Sequence, residues 1–178
     1  MVTTLLGSTC GFADGDASTA RINEPWGLAI DRPNNIMYLA DFGNNRIRKV
    51  LLPSGETSTL AGASTPGHVD SRLGTFVRFN RPTGIAVDGN SNVLVTTDSY
   101  IRIVSPNNGW TSTLVGDGDG YQDGIVGKFY YPAGVVVGKN GEIYVADLGT
   151  RRIRKVEALL VVPNNLPPAP PSPPPPSP

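Results

Sequence analysis

Apolar residues in this chain come in short runs rather than at helical spacing. Leu28-Ala29-Ile30, Ile85-Ala86-Val87 and Val135-Val136-Val137 are three such runs, and Ile36–Ala40, Val93–Thr97 and Ile143–Ala146 are three more. Short apolar runs bounded by Gly, Asn, Asp and Pro predict strands covered on both faces. The first set extends to Gly27–Asp31, Gly84–Asp88 and Gly134–Gly138 as first strands, and the second set forms second strands. Between them lie Arg32-Pro33-Asn34-Asn35, Gly89-Asn90-Ser91-Asn92 and Lys139-Asn140-Gly141-Glu142. Asn and Gly tolerate the positive φ of tight hairpin turns, and Asn140-Gly141 is the clearest of the three. Third strands are predicted at Arg46–Leu51, Ile101–Val104 and Arg152–Val156, and fourth strands at the Ser/Thr-Thr-Leu segments. No sustained helical period occurs between Met1 and Val156.

The pattern occurs three times. Val2-Thr3-Thr4-Leu5-Leu6-Gly7 returns as Ser58-Thr59-Leu60-Ala61-Gly62 and as Ser112-Thr113-Leu114-Val115-Gly116. Pro25-Trp26-Gly27 returns as Pro82-Thr83-Gly84 and Pro132-Ala133-Gly134. Tyr38-Leu39-Ala40-Asp41 is matched to Val95-Thr96-Thr97-Asp98 and Tyr144-Val145-Ala146-Asp147. Such a unit cannot bury its apolar faces alone and must stack on copies of itself. Four antiparallel strands repeated at this spacing are a propeller blade. The predicted fold class is all-β: three blades at about 25–61, 82–115 and 132–156, with 2–6 as a further fourth strand. Residues 1–160 form the propeller segment and 161–178 a proline-rich tail.

The register resembles the NHL-repeat family. The residues that carry the likeness are Gly-x-x-Asp, an apolar residue (Ile22, Phe79, Phe129) three before Pro, Pro-x-Gly-φ-Ala-φ-Asp, then Tyr-Leu-Ala-Asp and Asn45-Arg46-Ile47-Arg48-Lys49-Val50. The likeness spans residues 2–156. Repeat two is shorter after Thr97 and lacks the Asn-Arg pair, and repeat three has Gly138 where the others have Asp31 and Asp88. The resemblance implies a β-propeller. It implies no single activity, because the family holds enzymes, RNA binders and interaction platforms.

Three blades fall short of the four to eight of typical propellers, so the repeats are expected to be half of a six-bladed ring or an open arc. The chain opens with a fourth-strand segment and its last repeat stops at a third strand. Thr3, Thr4, Leu5 and Leu6 are therefore the expected assembly strand, paired with another chain or with neighbouring repeats of a longer one, and the Arg152–Val156 edge is the expected acceptor.

Charge narrows the partners. Fifteen Lys and Arg balance fifteen Asp and Glu. A neutral chain has no general attraction for nucleic acid, and no apolar run approaches a membrane span. Arg46, Arg48, Lys49, Arg152, Arg154 and Lys155 are expected to lay their stems along a neighbouring blade and keep their charges wet. Asp14, Asp70 and Asp123 are expected to accept amide hydrogen bonds within each inter-blade loop.

Catalytic chemistry is sparse. His68 is the single histidine and Cys10 the single cysteine, too few for a zinc site. Cys10 has no visible activating base and no partner for an intrachain disulfide. No Gly-x-Ser-x-Gly elbow is present, and no catalytic residue is assigned. No cofactor is expected. The one ion candidate is the loop Gly116–Gly124, where Asp117, Asp119 and Asp123 could hold Ca²⁺, although Tyr121 and Gln122 break the EF-hand spacing.

The tail reads Pro167-Pro168-Ala169-Pro170-Pro171-Ser172-Pro173-Pro174-Pro175-Pro176-Ser177-Pro178. Such a sequence has few amide donors and favours polyproline II. It resembles the hydroxyproline-rich glycoproteins of plant and green-algal walls. That resemblance implies hydroxylation and arabinosylation at Pro167, Pro168, Pro170, Pro171 and Pro173–Pro176, and O-glycans on Ser172 and Ser177. It also implies an extracellular location at a cell surface or wall, although the Met1 end does not read as a secretory signal. The sequence thus predicts a non-enzymatic structural or interaction module on an O-glycosylated stalk, acting in a surface fibre or wall-like assembly. The alternatives are a ligand- or protein-binding propeller with an unmodified linker tail, and a fragment of a propeller enzyme.

Overall fold

A computed structural model describes residues 1–157; the proline-rich tail and its predicted modifications lie outside the described residues. The described residues form eleven strands. The first sheet holds β1 (Pro25–Asp31), β2 (Ile36–Asp41), β3 (Arg46–Leu51) and β4 (Thr57–Ala61). The second holds β5 (Ile85–Val87), β6 (Val93–Thr97), β7 (Tyr100–Val104) and β8 (Thr111–Val115). The third holds only β9 (Pro132–Val137), β10 (Ile143–Asp147) and β11 (Arg152–Val156). Strands pair in sequence order, antiparallel throughout. The described helical residues are two single 3-10 turns, Phe42–Asn44 and Gly74–Phe76. Turn chemistry follows the sequence: Asn35, Asn45, Ser91 and Gly141 all take positive φ at hairpin ends.

The sheets stack as an arc of blades with β1, β5 and β9 side by side at its inner edge. Two apolar layers hold the arc together. Tyr38, Ala40, Ile47, Val77, Phe79, Ile85, Val93 and Val95 fill the space between blades one and two. Ala86, Leu94, Ile101, Phe129, Val135, Ile143 and Val145 fill that between blades two and three. Blade two thus buries one face against blade one and the other against blade three, while blades one and three each bury one face.

Close approach at the inner edge requires glycine. A Cβ on Gly27 would collide with the Thr83 carbonyl oxygen, whose acceptor the Gly27 N–H already uses at 3.0 Å. A Cβ on Gly84 would lie 2.7 Å from the Ala133 carbonyl oxygen.

The basic stripe departs from expectation. Arg48 and Arg102 are fully buried and Arg154 nearly so. Their stems do pack along the blades, but their charges are not in water. Arg48 donates to Asp41 and Asp14, at 2.7 Å each, and to the carbonyls of Ala13 and Arg21. Arg154 repeats this with Asp147, Asp123 and the carbonyls of Lys128 and Gln122. Arg102 bonds Asp70 and the carbonyls of Val69 and Arg78. A guanidinium presents five donors in a planar fork, so one side chain ties the loop entering a blade to that blade's third strand. Asp14, Asp70 and Asp123 are therefore guanidinium acceptors first; of the three, Asp70 also takes an amide, from Thr113 at 2.7 Å.

Register corrects the repeat alignment. β5–β6 pairing sets Ala86 opposite Leu94, as Ala29 stands opposite Tyr38. Thr97, not Asp98, therefore occupies the place of Asp41 and Asp147. The turn after β6 is so short that Thr97 pairs directly with Tyr100. A one-residue slip of this kind is invisible in a comparison of Asp with Asp, yet it moves every side chain to the opposite face.

Candidate functional site

Asp98 is the residue the slip releases. Asp41 and Asp147 each hold a buried arginine, and Thr97 in their place instead donates its hydroxyl to the Asn80 carbonyl at 2.7 Å. Asp98 turns out of the blade in the left-handed region, with φ 48°. It accepts a hydrogen bond from Asn80 Nδ2 at 2.8 Å. Burial pushes its carboxyl above the ordinary carboxylate value, and the nearby Asp119 adds to this, against the pull of Asn80, Arg102 and Arg81.

Around Asp98 lies a cleft of about 300 Å³ at the end of the sheets where second strands turn into third strands. Trp26 and Phe42 of blade one form one wall, their ring centres 5.0 Å apart. Tyr131 and Leu148 of blade three form the other, and Asn80, Arg81 and Asp98 of blade two the floor. The Arg81 guanidinium lies 5.6 Å from the Phe42 ring centre. Rings with a half-buried carboxylate, an amide and a guanidinium can hold a polar ligand with an apolar face. A larger cleft at the opposite end is lined by turns and strand ends, including Asp88–Asn90 and Lys139–Gly141, and there the Asp88 carboxylate is taken up within its own turn by the amides of Asn90 and Asn92.

A second candidate is the pair of end faces. The outer face of blade three shows Val136, Tyr144 and Ile153, which are 60%, 38% and 75% exposed. Their counterparts in blade one, Ala29, Tyr38 and Ile47, pack against blade two. The outer face of blade one shows Leu28 and Ile30, 58% and 48% exposed, where Ile85 and Val87 of blade two face inward. Beside the outer face of blade three, β11 has one neighbour, β10.

The residues singled out in the sequence fall in several places. Thr3–Leu6 forms no strand within the described chain, so the fourth strand read at 2–6 is not completed on blade three by the chain itself. The acidic loop does not converge: Asp119 accepts from the Ser99 hydroxyl, Asp123 is held by Arg154 and by the Tyr121 hydroxyl, and Asp117 is exposed. Among the described residues no group of three or more His, Cys, Asp or Glu is arranged around a metal position. His68 stacks on Tyr100 with ring centres 3.7 Å apart and meets the Thr113 hydroxyl at 3.1 Å. Burial, with Arg102 nearby, holds its imidazole below the usual value. Cys10 is exposed, and its thiol lies 3.2 Å from Asn23 Oδ1. No described helix is long and apolar enough to cross a membrane.

Comparison with known proteins fits this geometry. The model of the family described as NHL repeat matches residues 23–50 and 129–156, the first three strands of blades one and three. Blades one and three thus hold the segments that resemble the NHL repeat. The NHL match omits repeat two, the copy with the shortened turn and the displaced Asp98. The chain is 29% identical over 162 residues to Protein SUPPRESSOR OF QUENCHING 1, chloroplastic, of Arabidopsis thaliana, covering 83% of this chain and 15% of that protein. It is 32% identical over 89 residues to NHL repeat-containing protein 2 of Homo sapiens, covering 50% of this chain and 12% of that one. Among solved structures, an auxiliary nutrient binding protein from Bacteroides thetaiotaomicron superposes with a TM-score of 0.64 at 20% identity, over 72% of this chain and 36% of that chain. The chain thus spans a small part of the length of these curated relatives and about a third of that solved chain.

Proposed function

We propose that this chain is a non-enzymatic interaction module that works by joining its end blades to further protein. The observation that carries the reading is the exposure of Val136, Tyr144 and Ile153 at positions whose counterparts in blade one pack against blade two. Exposed apolar faces of this kind mark protein contact surfaces. The proline-rich segment serves as an O-glycosylated, extracellular stalk in this reading, supported by the Ser172–Pro178 sequence. Leu28→Arg and Ile153→Arg together should leave the β-sheet circular dichroism intact and shift the protein from high to low mass on gel filtration of extract from its source. An unchanged elution position refutes the reading. Pentose additions on oxidised prolines, found by mass spectrometry of the tail, test the stalk; unmodified prolines remove it.

A second reading rests on a different observation, the displaced Asp98 in its aromatic cleft. Here the module also holds a small polar ligand between Trp26 and Tyr131. Asp98→Ala and Trp26→Ala should each weaken capture of that ligand at least tenfold on an array of small polar compounds. Equal capture by both variants and the parent protein excludes it.

A further inference from the structure

Four features of blade three and of the first residues are unexplained by the chain taken singly. First, a groove of about 700 Å³ runs along the outer edge of β11. Arg154, Lys155 and Val156 line one side, Asp123, Gly124 and Ile125 the other. In the first two blades the corresponding space is filled by β4 and β8, which bridge the entering loop at Gly15–Thr57 and Ser71–Thr111.

Second, a segment with the sequence of those strands lies unpaired. Val2–Gly7 corresponds to Thr57–Gly62 and Thr111–Gly116, and Gly7, Gly62 and Gly116 all take positive φ. The loop that follows Gly7 is already seated: Ala13 and Arg21 bridge as Val69 and Arg78 do, and Arg48 grips it. The chain thus enters blade one from the place where a preceding blade's fourth strand would lie.

Third, Asp123 is under-used. Asp14 takes the Thr59 hydroxyl and Asp70 the Thr113 amide, both from fourth strands. Asp123 has no such partner in the described chain, and its side chain is 73% exposed against 47% and 39% for the other two. Thr4 occupies the position of Thr59 and Thr113.

Fourth, Gly134 is small without an internal reason. Gly27 and Gly84 are crowded by the carbonyls of Thr83 and Ala133 from the next blade. A Cβ on Gly134 would meet nothing nearer than Ala146 Cβ at 3.7 Å. The equivalent carbonyl belongs to residue 26, on the inner strand of blade one.

Together these assign one occupant, and the assignment rests on the end-face reading above. We infer that two copies of this chain pair head to tail into a closed ring of six blades. Thr3–Leu6 of each copy lies as the fourth strand along β11 of the other. Blade three's face of Val136, Tyr144 and Ile153 packs on the second copy's face of Leu28 and Ile30, as blade one packs on blade two. Six lies within the range of closed propellers, and a head-to-tail contact that closes after two copies leaves no free end. The β3–β4 and β7–β8 registers carry over, so Arg154 stands opposite Thr4 and Lys155 opposite Thr3 of the second copy.

The test uses the purified 178-residue protein with Cys10→Ser. Light scattering at tens of micromolar should give twice the chain mass of 18.8 kDa. Mixing Thr3→Cys protein with Lys155→Cys protein under oxidation should give a disulfide-linked dimer, because cross-strand neighbours lie within disulfide reach. Thr3→Cys mixed with Lys49→Cys should give none, since β4 already covers Lys49. Gly134→Val should keep its sheet spectrum and scatter as 18.8 kDa. A single-copy mass, a dimer without the Thr3–Lys155 cross-link, or a dimer that Gly134→Val leaves intact each overturns the ring. A purified protein of single-copy mass that still elutes at high mass in extract overturns the ring alone and leaves the end-face reading standing.

Discussion

Arg48 and Arg102 occupy equivalent positions with unequal surroundings. Arg48 lies between two carboxylates, one of them the fully buried Asp41, whereas Arg102 contacts only the part-exposed Asp70. Removing one partner of a buried pair leaves an uncompensated charge and costs about 3–5 kcal/mol. Arg48→Met should therefore destabilise by about that amount in urea denaturation, and Arg102→Met by clearly less, because water can reach Asp70. Equal losses would mean that the loop carbonyls, common to both sites, dominate. His68 makes a pH prediction. Phe12 and Tyr121, its counterparts, each lie under an arginine, Arg46 or Arg152, whereas His68 stacks on Tyr100. Its folded pKa is depressed, so the folded state resists protonation. The stability this represents is complete above the unfolded value of about 6.5 and is lost as pH falls through the folded value. His68→Phe should flatten the fall in stability that sets in below about pH 6.5; an unchanged slope means that carboxylates set it. The family pattern of the sequence marked these arginines, but not where their charges go. Burial of a guanidinium depends on a loop 30 residues away in the chain folding back over it.

At the scale of the element, strand positions and turns were legible because period, turn residues and repetition agreed. The register of repeat two was not. Aligning Asp98 with Asp41 preserved residue type, while the ladder aligned Thr97 by pairing across β6 and β7. Cross-strand pairing is decided by main-chain bonds and face burial, which a comparison of identities does not weigh. The aromatic cleft was missed for the same reason: Asp98 looked like one more copy of a structural carboxylate. The blades themselves yield a test. Ile47 and Ile153 are equivalent residues on equivalent strands, one fully buried and one 75% exposed. At a protein concentration below assembly, Ile47→Ala should cost about 2–5 kcal/mol and Ile153→Ala within about 0.5 kcal/mol. A large loss at Ile153 would show that the outer face of blade three is covered even in the single chain.

For the whole molecule, the threefold repetition of the sequence marked three blades, and three antiparallel sheets are found. The exposed outer faces of blades one and three were hidden until burial could be compared position by position. The three arginine hooks have one further consequence, and it is mechanical. Whatever pulls on the chain beyond Val156 loads β11 along its length, against five pairs with β10 acting together. Peeling the strand sideways would instead break those pairs one after another. Arg154 stands in the middle of that strand and reaches across to the backbone at Gln122 and Lys128. It pins the strand to the loop as a rivet does, so peeling must break the guanidinium's bonds before the ladder opens. A module anchored this way resists tension applied beyond Val156 through one side chain, and the direction of pull sets the force at which it yields.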